Sequence, residues 1–186
     1  DRRGDRRRAA AGFRRAVALD PGHDTARHMC AALSGRAVRM PPPAYVRDLF
    51  DGYADRFERH VVDALGYRVP ATIAILVRSL TPPAGWGHGL DIGCGSGLVG
   101  TALAGSGCRL FAIDVAPRMV ALARSRGVYA AVAEGDGVAV LAGLPPASLG
   151  LVTAADVAPY LGDLTALLAG AARALRDDGW LALSIE

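Results

Sequence analysis

Residues Leu90–Gly100 read LDIGCGSGLVG, and the spacing of the glycines at 93, 95, 97 and 100 decides how the chain folds. A short apolar run, GLDI, enters a glycine-rich turn, and a helical pattern starts after Ser96. Strand, turn and helix in that order open a parallel sheet that binds a ligand at its strand tips. Two glycine registers overlap in the turn. Gly95, Gly97 and Gly100 satisfy the G-x-G-x-x-G of a dinucleotide pyrophosphate loop. Asp91, Gly93, Gly95 and Gly97 instead give an acid followed by alternating glycines.

From residue 88 onward, apolar runs alternate with helical patterns. The predicted strands are GLDI, RLFAIDV, YAAVA, LGLVTAAD and WLALSIE, with helices after Ser96, Pro117, Asp136 and Leu161. Short turns between them imply right-handed crossovers and an α/β, Rossmann-like parallel sheet sandwiched by helices. Upstream, Pro41-Pro42-Pro43 is a stiff linker. Val46, Leu49, Phe50, Tyr53, Phe57 and Val61 keep one helical face in phase, with a break expected at Gly52. A further helix starts near Pro70, and TPPAGWGHG is a loop. In the first forty residues Ala9, Phe13, Ala16 and Val17 form one apolar stripe, and Ala26, Met29, Cys30 and Leu33 form another. Asp20-Pro21-Gly22 separates the two. The expected organisation is a helix pair over 1–40, a helical lid and linker over 41–87, and the sheet domain over 88–186.

Composition excludes several chemistries. The chain has 186 residues and a net charge of +3, and the five arginines and two aspartates of residues 1–8 account for all of it. The remainder is neutral, so no basic face for nucleic acid is expected. There is no lysine, which removes Schiff-base and lysine-base chemistry. Cysteines at 30, 94 and 108 share no metal or redox spacing. No apolar run has membrane-spanning length and no signal-peptide pattern opens the chain, so a soluble, cytoplasmic protein is expected.

Charge separates the two glycine registers. A dinucleotide loop would place Asp91 and Gly93 inside the strand, where an inward carboxylate repels a pyrophosphate and a glycine weakens the pleat. In the other register Leu90 ends the strand and Asp91 stands at its tip. There it would face a ligand with no phosphate but with an ammonium and a sulfonium. Asp114, 21 residues beyond Gly93, suits ribose hydroxyls in either case. Asp136-Gly137 closes the third strand with a carboxylate able to accept from an adenine amine.

The succession LDIGCGSG, AIDVAPRM, EGDG, LVTAADVAPYLGDL and GWLALSIE resembles the ordered motifs of class I S-adenosylmethionine-dependent methyltransferases over about residues 88–186. The stretch A-x-x-x-F-R-R-A-V-A-L-D-P resembles the second helix of a tetratricopeptide repeat. The resemblance implies S-adenosyl-L-methionine as cofactor. It implies Gly93 and Gly95 along the methionine part, with Asp91 beside its ammonium. Asp114 would accept the ribose hydroxyls, with Val115 against the adenine. Asp136 would take the adenine amine and the Gly137 N–H a ring nitrogen. Ala155 and Asp156 would border the sulfonium and the acceptor, and Tyr53 would lie over the cofactor. The family's usual strands beyond the fifth are missing, so the sequence reads as a fold truncated after strand five and as a piece of a longer protein. Its N-terminal helices would then end a repeat array that contacts a protein partner.

Each role has a structural rival. Tyr53 is in phase with a packing stripe, Asp136 can simply cap the following helix, and Asp91 can cap the helix behind the glycines. Methyl transfer from a sulfonium needs alignment and exclusion of water more than proton transfer. If the small-molecule or protein acceptor requires a base, Asp156 is the candidate, with His60 behind it. A nicotinamide-dependent oxidoreductase and a degenerate methyltransferase fold used for protein interaction are the alternatives.

Overall fold

The computed structural model describes residues 2–34, 41–82 and 85–185, with side chains from residue 8 onward. The parts of the sequence reading that fall on residues 35–40, Pro83, Ala84 and Glu186 lie outside them. The chain divides into two compact units, Asp1–Val46 and Arg47–Glu186.

The first unit carries helices α1 (Arg2–Leu19) and α2 (Asp24–Leu33), the expected helix pair. Asp20 ends the first by accepting the Gly22 N–H on Oδ1 at 2.9 Å, a turn made by the side chain itself. His23 then caps α2 by accepting the Ala26 N–H on Nδ1 at 3.5 Å. Helix α3 (Pro43–Tyr53) leads from this unit into the second. The expected break at Gly52 falls after Tyr53, where the backbone tightens into a 3-10 turn (Ala54–Arg56) and then widens into a π-helical stretch (Arg59–Ala64). Helix α4 (Val69–Ser79) follows, with Pro70 in its first turn, where the missing N–H costs nothing.

The rest is one five-stranded parallel sheet of order β3-β2-β1-β4-β5. Its strands are β1 (His88–Ile92), β2 (Arg109–Asp114), β3 (Ala131–Glu134), β4 (Leu149–Ala154) and β5 (Leu175–Leu183). The connecting helices are α5 (Leu98–Leu103), α6 (Pro117–Ser125), α7 (Gly137–Gly143), α8 (Ala158–Leu161) and α9 (Thr165–Ala174). β1 runs two residues past Leu90, the expected strand end, so Asp91 lies inside the strand. β3 is shorter than predicted and leaves Tyr129 ahead of it. β5 starts five residues before Trp180, because Arg176–Gly179 bulge out between the pairs Leu149–Leu175 and Leu151–Trp180; the charged, glycine-containing RDDG hides a strand start from any apolar count.

Period-two alternation gives the sheet two buried faces. Leu90, Ile92, Ile113 and Val152 pack with Leu141, Leu167, Ala171 and Ala174 of α7 and α9. Leu110 and Leu151 pack on the opposite side with Ile73 and Val77 of α4 and Val99 and Leu103 of α5. The order reverses between β1 and β4, which creates the crevice above the strand tips where such sheets bind ligands. Among the described residues no helix is long and apolar enough to cross a membrane.

Leu151 is wholly buried in the fourth strand. Leu151→Ala is expected to cost about 3 kcal/mol of unfolding free energy, measured by urea denaturation. A loss below about 1 kcal/mol would mean that this layer collapses around the cavity.

Candidate functional site at the strand tips

The glycine turn is set by its backbone. Gly93 and Gly95 have φ of 61° and 52°, a left-handed region that costs other residues strain. A Cβ on Gly93 would also stand 2.6 Å from Val157 Cγ2, just beyond β4. The turn therefore presses flat against the chain leaving the neighbouring strand.

Asp114 fastens the turn to β2. It is 7% exposed, accepts the Gly95 N–H on Oδ2 at 2.8 Å, and accepts the Ala116 N–H on Oδ1 at 2.9 Å. Burial holds its carboxyl above the usual aspartate range, and those two N–H bonds oppose the rise. Asp136 accepts the Val138 and Ala139 N–H groups on Oδ1 at 2.8 and 3.2 Å, so it does cap α7. Gly137 is buried beside it, and a Cβ there would meet Ile92 Cγ2 at 2.4 Å. Glycine lets α7 start directly against the tip of β1. Val115 is half-buried at the end of β2, and Ala155 is half-buried against the layer of Trp86 and Leu151. Asp114, Asp136, Gly93, Gly95 and Asp156 thus stand at the carboxyl ends of adjacent strands, as their positions in sequence predict.

Asp91 is placed differently from the sequence expectation. It is 1% exposed and points into the layer between the sheet and α5. Oδ1 accepts the Thr153 hydroxyl at 2.7 Å and Oδ2 accepts the Tyr129 hydroxyl at 2.7 Å. Burial, with a smaller push from the charge of Asp114, raises its carboxyl to about 6, against the pull of the two hydroxyls. Gly100, the third glycine of the pyrophosphate-loop pattern, also finds its reason here. A Cβ on it would lie 2.2 Å from Tyr129 Cζ. The residue is small because an aromatic ring lies flush on it, and the match to a dinucleotide pattern is incidental to that packing.

The ring that faces the glycine turn is Phe57: a Cβ on Gly95 would stand 3.9 Å from its Cε1 and Cζ. Tyr53 packs edge-on to Phe57 with centroids 5.5 Å apart, and its hydroxyl meets His60 Nδ1. The two differ by one helical turn, and sequence phase alone cannot choose between them. The segment carrying them is tied down by arginines. Arg118 donates its backbone N–H to Asp51 Oδ1 at 2.9 Å and pairs with Asp55. Arg126 donates to the Ser96 carbonyl at 2.6 Å and pairs with Glu58.

Past β4, Asp156 adopts φ of 55°, uncommon outside glycine. Its N–H donates to Ser184 Oγ at 2.6 Å and the Ser184 hydroxyl donates to Asp156 Oδ1 at 2.5 Å. Ser184, just beyond β5, holds this carboxylate in place. Among the described residues no group of three or more histidine, cysteine or acidic side chains is placed to hold a metal ion.

Residues 90–183 match the family model described as a methyltransferase domain. The chain is similar to the ubiquinone biosynthesis O-methyltransferase of Xanthomonas oryzae pv. oryzae, 36% identical over 98 residues that make up 51% of this chain and 41% of that protein. It therefore spans less than half the length of that relative. Its fold is similar to the methyltransferase solved in complex with the Haloferax volcanii Trm112 methyltransferase activator. There the TM-score is 0.57 and the identity 25%, over 72% of this chain and 58% of that one. It is also similar to a type II methyltransferase from Anaeromyxobacter dehalogenans, with a TM-score of 0.51 and 26% identity over 61% of this chain and 46% of that one.

The raised Asp91 carboxyl has a consequence that can be measured. The folded chain holds this proton between the usual aspartate range and about 6, so acid favours folding in that window and the benefit is lost as pH rises through about 6. Asp91→Asn cannot titrate. From pH 4 to pH 7 the stability difference should move in favour of the variant by up to about 3 kcal/mol, read from urea melts at both values. A constant difference would show that Asp91 does not titrate there.

Proposed function

Because the chain belongs to the methyltransferase-domain family, we propose that it binds S-adenosyl-L-methionine at the strand tips and transfers the methyl group to an acceptor. The observation that carries this reading is the donor and acceptor set at one end of the sheet. Asp114 stands at the tip of β2 with each oxygen accepting one N–H, and each keeps a lone pair for a ribose hydroxyl. Asp136 has both cap bonds on Oδ1, which leaves Oδ2 for the adenine amine. A nucleoside without phosphate suits a cleft ringed by carboxylates, and a pyrophosphate does not.

S-adenosyl-L-methionine would supply an electrophilic methyl group on a sulfonium. The work left to this chain is positioning. Gly93 and Gly95 give the methionine part a bare backbone, Val115 flanks the adenine, and Gly137 offers its N–H beside Asp136. The segment 47–64 serves as a lid, with Phe57 rather than Tyr53 as the ring over the turn; a lid of this kind keeps water from an alkylating centre.

The name of the relative from Xanthomonas makes an oxygen acceptor the first to test. A hydroxyl acceptor must lose its proton, and Asp156, held by Ser184 beside Ala155, would receive it. Helices α1 and α2 would end a tetratricopeptide-like array that contacts a protein partner. The free thiols of Cys30, Cys94 and Cys108 suit a reducing, cytoplasmic setting.

Calorimetric titration with S-adenosylhomocysteine tests the site. Asp114→Ala is expected to weaken binding by about tenfold or more, since a buried ribose would lose its partners at roughly 1–3 kcal/mol each. Unchanged affinity would overturn the assignment. Hydrogen exchange tests the lid: ligand should add protection over residues 47–61 as well as at the strand tips. Protection at the strand tips alone would reduce Phe57 and Tyr53 to packing.

A further inference from the structure

Helix α5 starts without a side chain able to cap it. Its N-cap is Gly97, in the left-handed region at φ 88°, and the first turn of a helix always leaves N–H groups without partners inside the helix. One of them is answered from elsewhere in the chain. The Gly100 N–H donates to the Tyr129 hydroxyl oxygen at 3.0 Å, and that hydroxyl donates its own proton to Asp91 Oδ2 at 2.7 Å. The ring lies against both glycines, since a Cβ on Gly97 would stand 3.2 Å from Tyr129 Cε2 and one on Gly100 2.2 Å from Cζ.

We propose that Tyr129 is a positioning residue for the cofactor loop, capping α5 across the sheet and locking the glycine turn to the buried carboxylate of Asp91. The hydroxyl relays polarity. An ionised Asp91 draws the tyrosine proton, which makes the phenolic oxygen a better acceptor for the Gly100 N–H. The conformation of the turn is thereby fixed before any ligand arrives, so ligand binding does not have to order it. Thr153 supports the arrangement by occupying Oδ1, which leaves Oδ2 to the tyrosine. The groups facing the Asp91 carboxylate are Thr153 from β4, Tyr129 from the approach to β3, Cys94 from the turn and Asp114 from β2. None is cationic, so the hydroxyls are what steadies its charge. The role in binding rests on the cofactor reading above; the capping of α5 stands on the ligand-free geometry.

Tyr129→Phe keeps the ring and removes only the relay. Two measurements on the 186-residue chain decide the matter: amide exchange at residues 97–101 without ligand, and S-adenosylhomocysteine affinity from pH 5 to 8.5. The variant should exchange at Gly100 about tenfold faster and bind about tenfold more weakly at pH 7.5, the scale of one lost hydrogen bond to a charged network. The wild-type affinity should also fall as Asp91 takes up its proton near pH 6, a step missing from the variant, in which Asp91 no longer reaches the turn. Asp114, whose carboxyl burial also holds above the usual aspartate range, is the same in both proteins and cancels in the comparison. A merely packing role would leave the step in both. Exchange and affinity both unchanged would overturn the proposal. Wild type that does not bind S-adenosylhomocysteine would instead overturn the methyltransferase reading, and exchange alone would then judge Tyr129. If the phenylalanine variant does not fold, Asp91→Asn, which preserves packing and removes the carboxylate that receives the proton, should show the same faster exchange at Gly100.

Discussion

The carboxylate of Asp91 is buried at the centre of the parallel sheet, and the strand tips are arranged around the need to keep it satisfied. An unpaired buried charge would cost several kcal/mol. Among the described residues no arginine neutralises it; two hydroxyls hold it, one from β4 and one from the approach to β3. That choice draws Thr153 and Tyr129 to the same point. Through them β1 is bound to β4 on one side and to the turn before β3 on the other. Asp114 does the equivalent one strand away, using backbone N–H groups of the glycine turn and of the chain entering α6. The crevice above the strand tips is therefore walled by carboxylates that spend part of their bonding capacity on the walls themselves.

How much of this the sequence shows depends on the kind of interaction. The sheet was legible because apolar period and turn chemistry are local, and Asp114 and Asp136 were legible because strand tips place them. The place of Asp91 depends on where β1 stops: it ends at Ile92 as the run GLDI does, two residues past the Leu90 end that puts Asp91 at the tip. Nothing in the sequence gives Tyr129 or Ser184 a place at the strand tips, and Phe57 shows there only as one member of an apolar helical stripe. Tyr129 reaches Asp91 across 38 residues and Ser184 reaches Asp156 across 28; no periodicity encodes such pairs. Gly100 carried a signal that could have been read another way. A glycine inside an otherwise good helix pattern asks what lies against it, and an aromatic ring is a common answer.

The absence of lysine shows in how the segment before the sheet is held. Arginine makes planar, forked contacts that a lysine cannot copy. Arg126 reaches Glu58 and the Ser96 carbonyl together, joining the helical segment before the sheet to the glycine turn with one side chain. Arg118 uses its backbone and its guanidinium on Asp51 and its guanidinium on Asp55. In the same segment Phe50 packs edge-on to both Phe57 and Tyr160.

The pairing of Asp91 with Thr153 also bears on how the chain comes off the ribosome. The two residues are 62 apart in sequence, and β1 acquires its second neighbour only when β4 has been made. Until then β1 can pair only with β2, so one oxygen of the Asp91 carboxylate lacks its Thr153 partner and one edge of β1 lacks its neighbouring strand. A nascent chain at that stage favours the protonated acid or stays open to water. Closure of the central pair is thus a late, long-range event, of the kind that slows folding in parallel sheets. Emergence of Thr153 is the moment at which the charged form of Asp91 first becomes tolerable inside the fold.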